Sequence, residues 1–254
     1  MDYAAITFWL SVIVFTAMGV HRLWSALVGP KIVNAALLPG TLVATLGHVV
    51  GLLITGGTVE NTTLITDSES GEPQTGTDSK PKVPIIGAIV VALFPMLGCA
   101  VAIYGVAAYL GSPVMNVMGA MTADSGERLI LPLNGALFFG MLHQVIDLAH
   151  GLVEAVQASD LTDWRTLLFL YLSVCLTVRM APLADNIRGV LGAIFLTGLA
   201  AFLFAQLSSP AAVTLQAVWS LVRFAVSVLS FLLIMSLVIT GIVHLVKTLV
   251  NPSG

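Results

Sequence analysis

Apolar residues in this chain fall in long uninterrupted runs separated by polar breaks. Runs of this length predict helices that cross a bilayer, because about twenty apolar residues span its hydrocarbon core. About seven are expected, six of them firm. The first covers residues 4 to about 18 or slightly beyond, with His21, Arg22 and Trp24 following as interfacial residues. The second, about 32–55, comes after a Gly29-Pro30-Lys31 break, contains Pro39-Gly40, a pair that begins or kinks a helix, and stops on Gly56-Gly57. The next four cover about 84–110, 134–158, 164–180 and 187–207. The last run, 215–250, is too long for one perpendicular crossing. It reads either as a strongly tilted span or as a surface helix carrying Arg223 that turns into the bilayer.

One segment is truly polar. Residues 58–82 are rich in Ser, Thr, Glu, Asp, Gly and Pro, and the β-branched character of 58–65 suits a small β-hairpin as well as an open loop.

Composition sharpens this picture. The chain is 57% hydrophobic and 9% charged, and a typical globular domain carries about 25% charge, so lipid is the expected solvent. The expected fold is an all-α polytopic membrane protein, one transmembrane domain over 1–254 with the polar loop at 58–82. The net charge of -3 and the scattered cations exclude a nucleic-acid surface. Cys99 and Cys175 both lie in apolar runs and read as packed thiols, not as a disulfide framework. No basic leader or cleavage site precedes the first run, which is expected to be kept as a helix.

Cations set the expected orientation. Alternating the loops between two sides places Arg22, Lys31, Arg128, Arg179, Arg188 and Lys247 on one side, and Lys80, Lys82 and Arg165 on the other. The richer side is expected to be cytoplasmic. That puts the N-terminus and the 58–82 loop outside and the C-terminus inside, in a bacterial inner membrane. Gly105, Gly111, Gly119 and the glycines of the sixth run suit close helix approach.

Ionisable side chains inside membrane helices are costly, so they are the first candidates for function. His48 lies in the second run, within a frame formed by Pro39, Gly40, Thr41, Leu46, Gly47, His48 and Gly56. That frame resembles the zinc helix of the site-2-protease-like intramembrane metallopeptidases, whose HExxH motif pairs two zinc-binding histidines with a glutamate base. Residues 66–71, 92–98 and 181–189 are similar to later segments of that family, and the resemblance covers about two thirds of the chain. It implies a zinc site at which Ala44 stands for the first histidine and Thr45 for the glutamate. Neither does that work. The family's later aspartate ligand corresponds by order to Asp185, for which a helix cap at the loop-to-helix junction after Pro182 is the better reading. No catalytic residue and no cofactor are therefore expected; a zinc ion would need His48 plus ligands recruited from elsewhere.

The fourth run carries the only dense polar stripe. His143, Asp147, His150 and Glu154, at offsets of four, seven and eleven, lie on one face of a helix. They suit metal binding, proton transfer, or mutual hydrogen bonding on a face turned to the protein interior, to a polar groove or to water near the membrane surface. The leading expectation is a degenerate, non-catalytic member of the family, a pseudoprotease acting as a binding, structural or accessory subunit in the bilayer, with other membrane subunits or a partner's transmembrane helix as its partners. Its alternative is a transporter or proton-handling protein using His143, Asp147 and His150; an active metalloprotease ranks third.

Overall fold

The computed structural model describes residues 2–57, 62–63, 74–75, 86–112, 114–116, 129–180, 187–207 and 211–250. Its described elements are α1 (Asp2–Val28), α2 (Pro30–Ala36), α3 (Leu38–Ile54), β1 (Thr62–Thr63), β2 (Gln74–Thr75), α4 (Ile86–Tyr109), α5 (Gly135–Ala158), α6 (Trp164–Val178), α7 (Ile187–Leu207) and α8 (Ala211–Val250). This is an all-α membrane fold with one minimal hairpin. The two strands pair antiparallel, Thr62 with Thr75 and Thr63 with Gln74; the rest of 58–82 lies outside the described residues.

Local chemistry sets most boundaries. Gly29 (φ 97°) separates α1 from α2, and Gly56 (φ 71°) closes the turn after α3, a left-handed conformation that glycine adopts without steric cost. Asn134 caps α5 by accepting from the amide of Leu137 at 2.8 Å. Between α5 and α6, Asp160 accepts from the hydroxyl and the amide of Thr162, and these bonds hold its carboxyl below the usual carboxylate range. Asp163 then caps α6 through the amide of Arg165 at 3.0 Å.

Among the described residues four helices are long and apolar enough to cross a bilayer: Ala4–Val28, Gly87–Tyr109, Gly135–Ala158 and Val218–Leu245. The second predicted span is not one straight helix. It breaks at Leu37 into α2 and α3, bent by 81°, and counting that pair as one span gives five. The cause is written at residues 38–40, where Pro39 has no amide to continue the helix and is tolerated only in a first turn. The fifth and sixth predicted spans correspond to shorter apolar helices, Trp164–Val178 and Gly189–Leu199 within α7. The last run needs no turn: α8 is continuous for 40 residues. Its buried portion holds Trp219, Phe224 and Leu229, while Leu237, Ile242 and Leu245 are exposed.

The core lies where α1, α4, α6 and α8 meet, around Trp9, Ile13, Cys99, Phe169 and Phe224. A second cluster joins α1, α4 and α7 through Val14, Met96 and Ile194. The outer faces carry exposed Phe15, Leu46, Val101 and Phe195, as expected where hydrocarbon is the solvent. The tightest seam runs between α3 and α4. A Cβ on Gly47 would stand 2.6 Å from the Phe94 carbonyl oxygen, and one on Gly51 would stand 2.9 Å from the Cα of Val91. Glycines four apart let two backbones meet directly. Gly111, Gly192 and Gly198 are also closely covered, by Phe169, Ile89 and Thr7, whereas Gly105 faces open space and Gly119 lies outside the described residues.

Gly47→Leu is expected to separate α3 from α4 and to lower the thermal midpoint in detergent, with a cost at or above the ~1–3 kcal/mol typical of overpacking. Gly105→Leu, where nothing stands within 4 Å, should stay near wild type. Equal behaviour of the two variants would overturn the close-approach seam.

Candidate functional site

The frame around His48 is largely packing. Ala44 and Thr45 are buried, and the Thr45 hydroxyl donates to the Thr41 carbonyl at 2.8 Å, so it is committed to its own helix. Gly40 sits against the backbone of Cys175 on α6, and Gly47 against Phe94 and Pro95 on α4. His48 itself is half-buried. Among the described residues no group of three His, Cys, Asp or Glu side chains is placed to hold a metal ion. Asp185 and its segment lie outside the described residues.

A polar junction forms at the α2–α3 break. The carbonyl of Ala36, at the end of α2, accepts from the Tyr171 hydroxyl at 2.8 Å and from the Cys175 thiol at 3.5 Å, both on α6. Beside it the side-chain oxygen of Asn34 accepts from Arg179 Nη2 and lies 3.0 Å from His21 Nε2, which donates to it. Arg179, expected from the sequence in a loop, is 8% exposed, and Asn34 is 5% exposed. The guanidinium stays charged and sits at the C-terminal end of α6, where the helix dipole favours a cation. The Arg179 carbonyl accepts from the Cys99 thiol at 3.8 Å, which brings in α4. His21 and Trp24, read from the sequence as interfacial, make contacts within the chain: His21 joins this junction and Trp24 Nε1 donates to Ser236 at 2.7 Å. Both belong to α1, which continues well past residue 18 and packs along α2 and α8.

The stripe on α5 has a different setting. His143, Asp147, His150 and Glu154 are all exposed and share the outer face of the helix. His143 Nδ1 bonds to the Phe139 carbonyl at 2.9 Å, and His150 Nδ1 pairs with Glu154 at 3.2 Å. Of the settings the stripe suits, the protein interior is not the one observed; the stripe faces outward from the chain's own bundle. Nor does His48 join it, because α3 packs on α4 and α6 while α5 leans chiefly on α8. Only 11% of the α5 span is buried, against 28–39% for the other three long spans. The histidines are seven apart and so are the acids, the repeat of a helix-packing seam. Beside them Gly151 has nothing within 4 Å of where a Cβ would be.

Two features escaped the sequence reading. Asn34 and Arg179 are 145 residues apart, and no local pattern links them. Gly47 and Gly51 are a small-xxx-small pair that a scan for close helix approach would have found.

Asn34→Leu takes from the Arg179 guanidinium and from His21 the acceptor they share, and should destabilise the protein by about 2 kcal/mol, the scale for a buried hydrogen bond to a charged group. Tyr171→Phe removes one of two donors to Ala36 and should cost about 1 kcal/mol. Thermal unfolding in one detergent would rank them, and a Tyr171→Phe midpoint below that of Asn34→Leu would contradict this account. Comparison with family models, curated proteins and solved structures finds no match to this chain.

Proposed function

We propose that this chain is a non-catalytic membrane protein on a site-2-protease-like scaffold, and that it serves as an accessory subunit whose α5 receives a transmembrane helix of another subunit. One observation carries the reading: the least buried long helix displays four ionisable residues on its outer face. An ionisable group facing lipid near the bilayer centre costs about 2.5–3.5 kcal/mol even on the lenient scale, so such a face calls for a cover. The seven-residue repeat and the open Gly151 give a partner helix a seam and room to approach. Ala44 and Thr45 supply neither ligand nor base, which supports a scaffold without its chemistry. The proton-handling alternative shares this requirement, since a path along the α5 stripe runs outside the chain's own bundle and needs the same covering helix. We place the chain in a bacterial inner membrane with its C-terminus cytoplasmic, on the distribution of Lys and Arg.

A photo-crosslinking residue at position 151 in intact membranes should yield an adduct with a second membrane protein, while the same probe at the lipid-facing position 242 should yield lipid adducts. Lipid adducts alone at both positions would sink the docking reading, and a self-adduct at 151 would make the partner a second copy. The purified protein should carry far less than one zinc per chain by elemental analysis; tightly bound stoichiometric zinc would overturn the non-catalytic reading. A C-terminal reporter that works only in the cytoplasm should be active, and its silence would reverse the orientation.

A further inference from the structure

Asp147 stands at the midpoint of α5 (Gly135–Ala158), about 17 Å from each end at 1.5 Å per residue. Because α5 is long and apolar enough to cross a bilayer, this carboxyl sits at the depth where an ion is most costly. Its neighbours on the stripe are already engaged. His143 Nδ1 bonds to the Phe139 carbonyl, and His150 Nδ1 pairs with Glu154. Asp147 is exposed and makes no hydrogen bond or ion pair among the described residues. Leu142 and Ile146 are exposed on the same outer face, so the carboxyl is set among apolar side chains. One turn further on, the open Gly151 leaves room for a neighbouring backbone or a long side chain.

We infer that the helix received by α5 carries one Arg or Lys near its own midpoint, and that this cation pairs with Asp147. The inference rests on the docking reading above and names the chemistry of the partner. A carboxylate inside a membrane is matched by a counter-charge, and three sources of one differ sharply here. A second copy inserted the same way would bring like residues together along a parallel seam, setting Asp147 against Asp147, and two carboxylates so placed repel. A metal ion needs more ligands than one carboxylate, and among the described residues no group of three His, Cys, Asp or Glu side chains is placed to hold one. A base on a partner helix supplies both the charge and the hydrogen-bond donors, at a depth where neither water nor a headgroup does.

The test places the purified full chain, with a photo-crosslinking residue at position 146 beside Asp147, in dioleoyl phosphatidylcholine vesicles. Synthetic Leu-Ala helices of about twenty residues, long enough to span the hydrocarbon core, are added with Arg, Leu or Glu at the centre. The Arg helix should be captured about ten-fold more than the Leu or Glu helix, the worth of one charge-assisted hydrogen bond. Asp147→Leu should abolish that preference, Asp147→Glu should keep it, and Asp147→Lys should transfer it to the Glu helix. Since Asp147 makes no bond within its own chain, the thermal midpoint of each variant should match wild type. Equal capture of the three helices, or a preference for Arg that survives Asp147→Leu, overturns the inference. Either result leaves the docking reading standing, because that reading fails on lipid adducts alone at position 151 in native membranes.

Discussion

Tyr171 and Cys175 of α6 converge on the carbonyl oxygen of Ala36, and this pair of hydrogen bonds is what allows a helix to break by 81° inside an apolar medium. In hydrocarbon a freed backbone carbonyl finds no water, so a break persists only where protein supplies the donors. The other constraints gather around that point. Gly40, the third residue of α3, lets that helix start directly against the Cys175 backbone, and Arg179, one turn further along α6, reaches back to Asn34. The bent pair, α6 and the end of α1 are therefore one polar-stitched unit.

The same frame of residues answers to two kinds of demand. Pro39 starts α3, Gly40 and Gly47 admit neighbouring backbones, and Gly56 ends the helix. A resemblance built on such residues is thus partly a resemblance in packing. Two positions between Gly40 and Gly47, Ala44 and Thr45, hold a buried methyl group and a hydroxyl spent on its own helix.

Much of the fold was legible because its causes are local. Asn134, Gly56 and the long apolar runs placed the ends of α5 and α3 and the course of α4 and α7 within a few residues. The break at Leu37 was half legible: Pro39-Gly40 marks a helix start or a kink, and only the contacts with α6 decide between them. The setting of the α5 stripe was not legible. Periodicity tells which residues share a face, but core and lipid are both apolar, so it does not tell whether that face looks in or out. The junction of His21, Asn34 and Arg179 depends on three helices meeting, and nothing near any one of these residues announces the other two.

Helix length has a consequence for the membrane itself. The apolar part of α8 is 28 residues, about 42 Å, whereas α6, packed beside it, is 15 residues, about 22 Å. A bilayer core near 30 Å is too thin for one and too thick for the other. An α8 of this length must incline or gather thicker lipid around it, whereas α6, too short to cross alone and largely buried, is held in place by the helices packed on it.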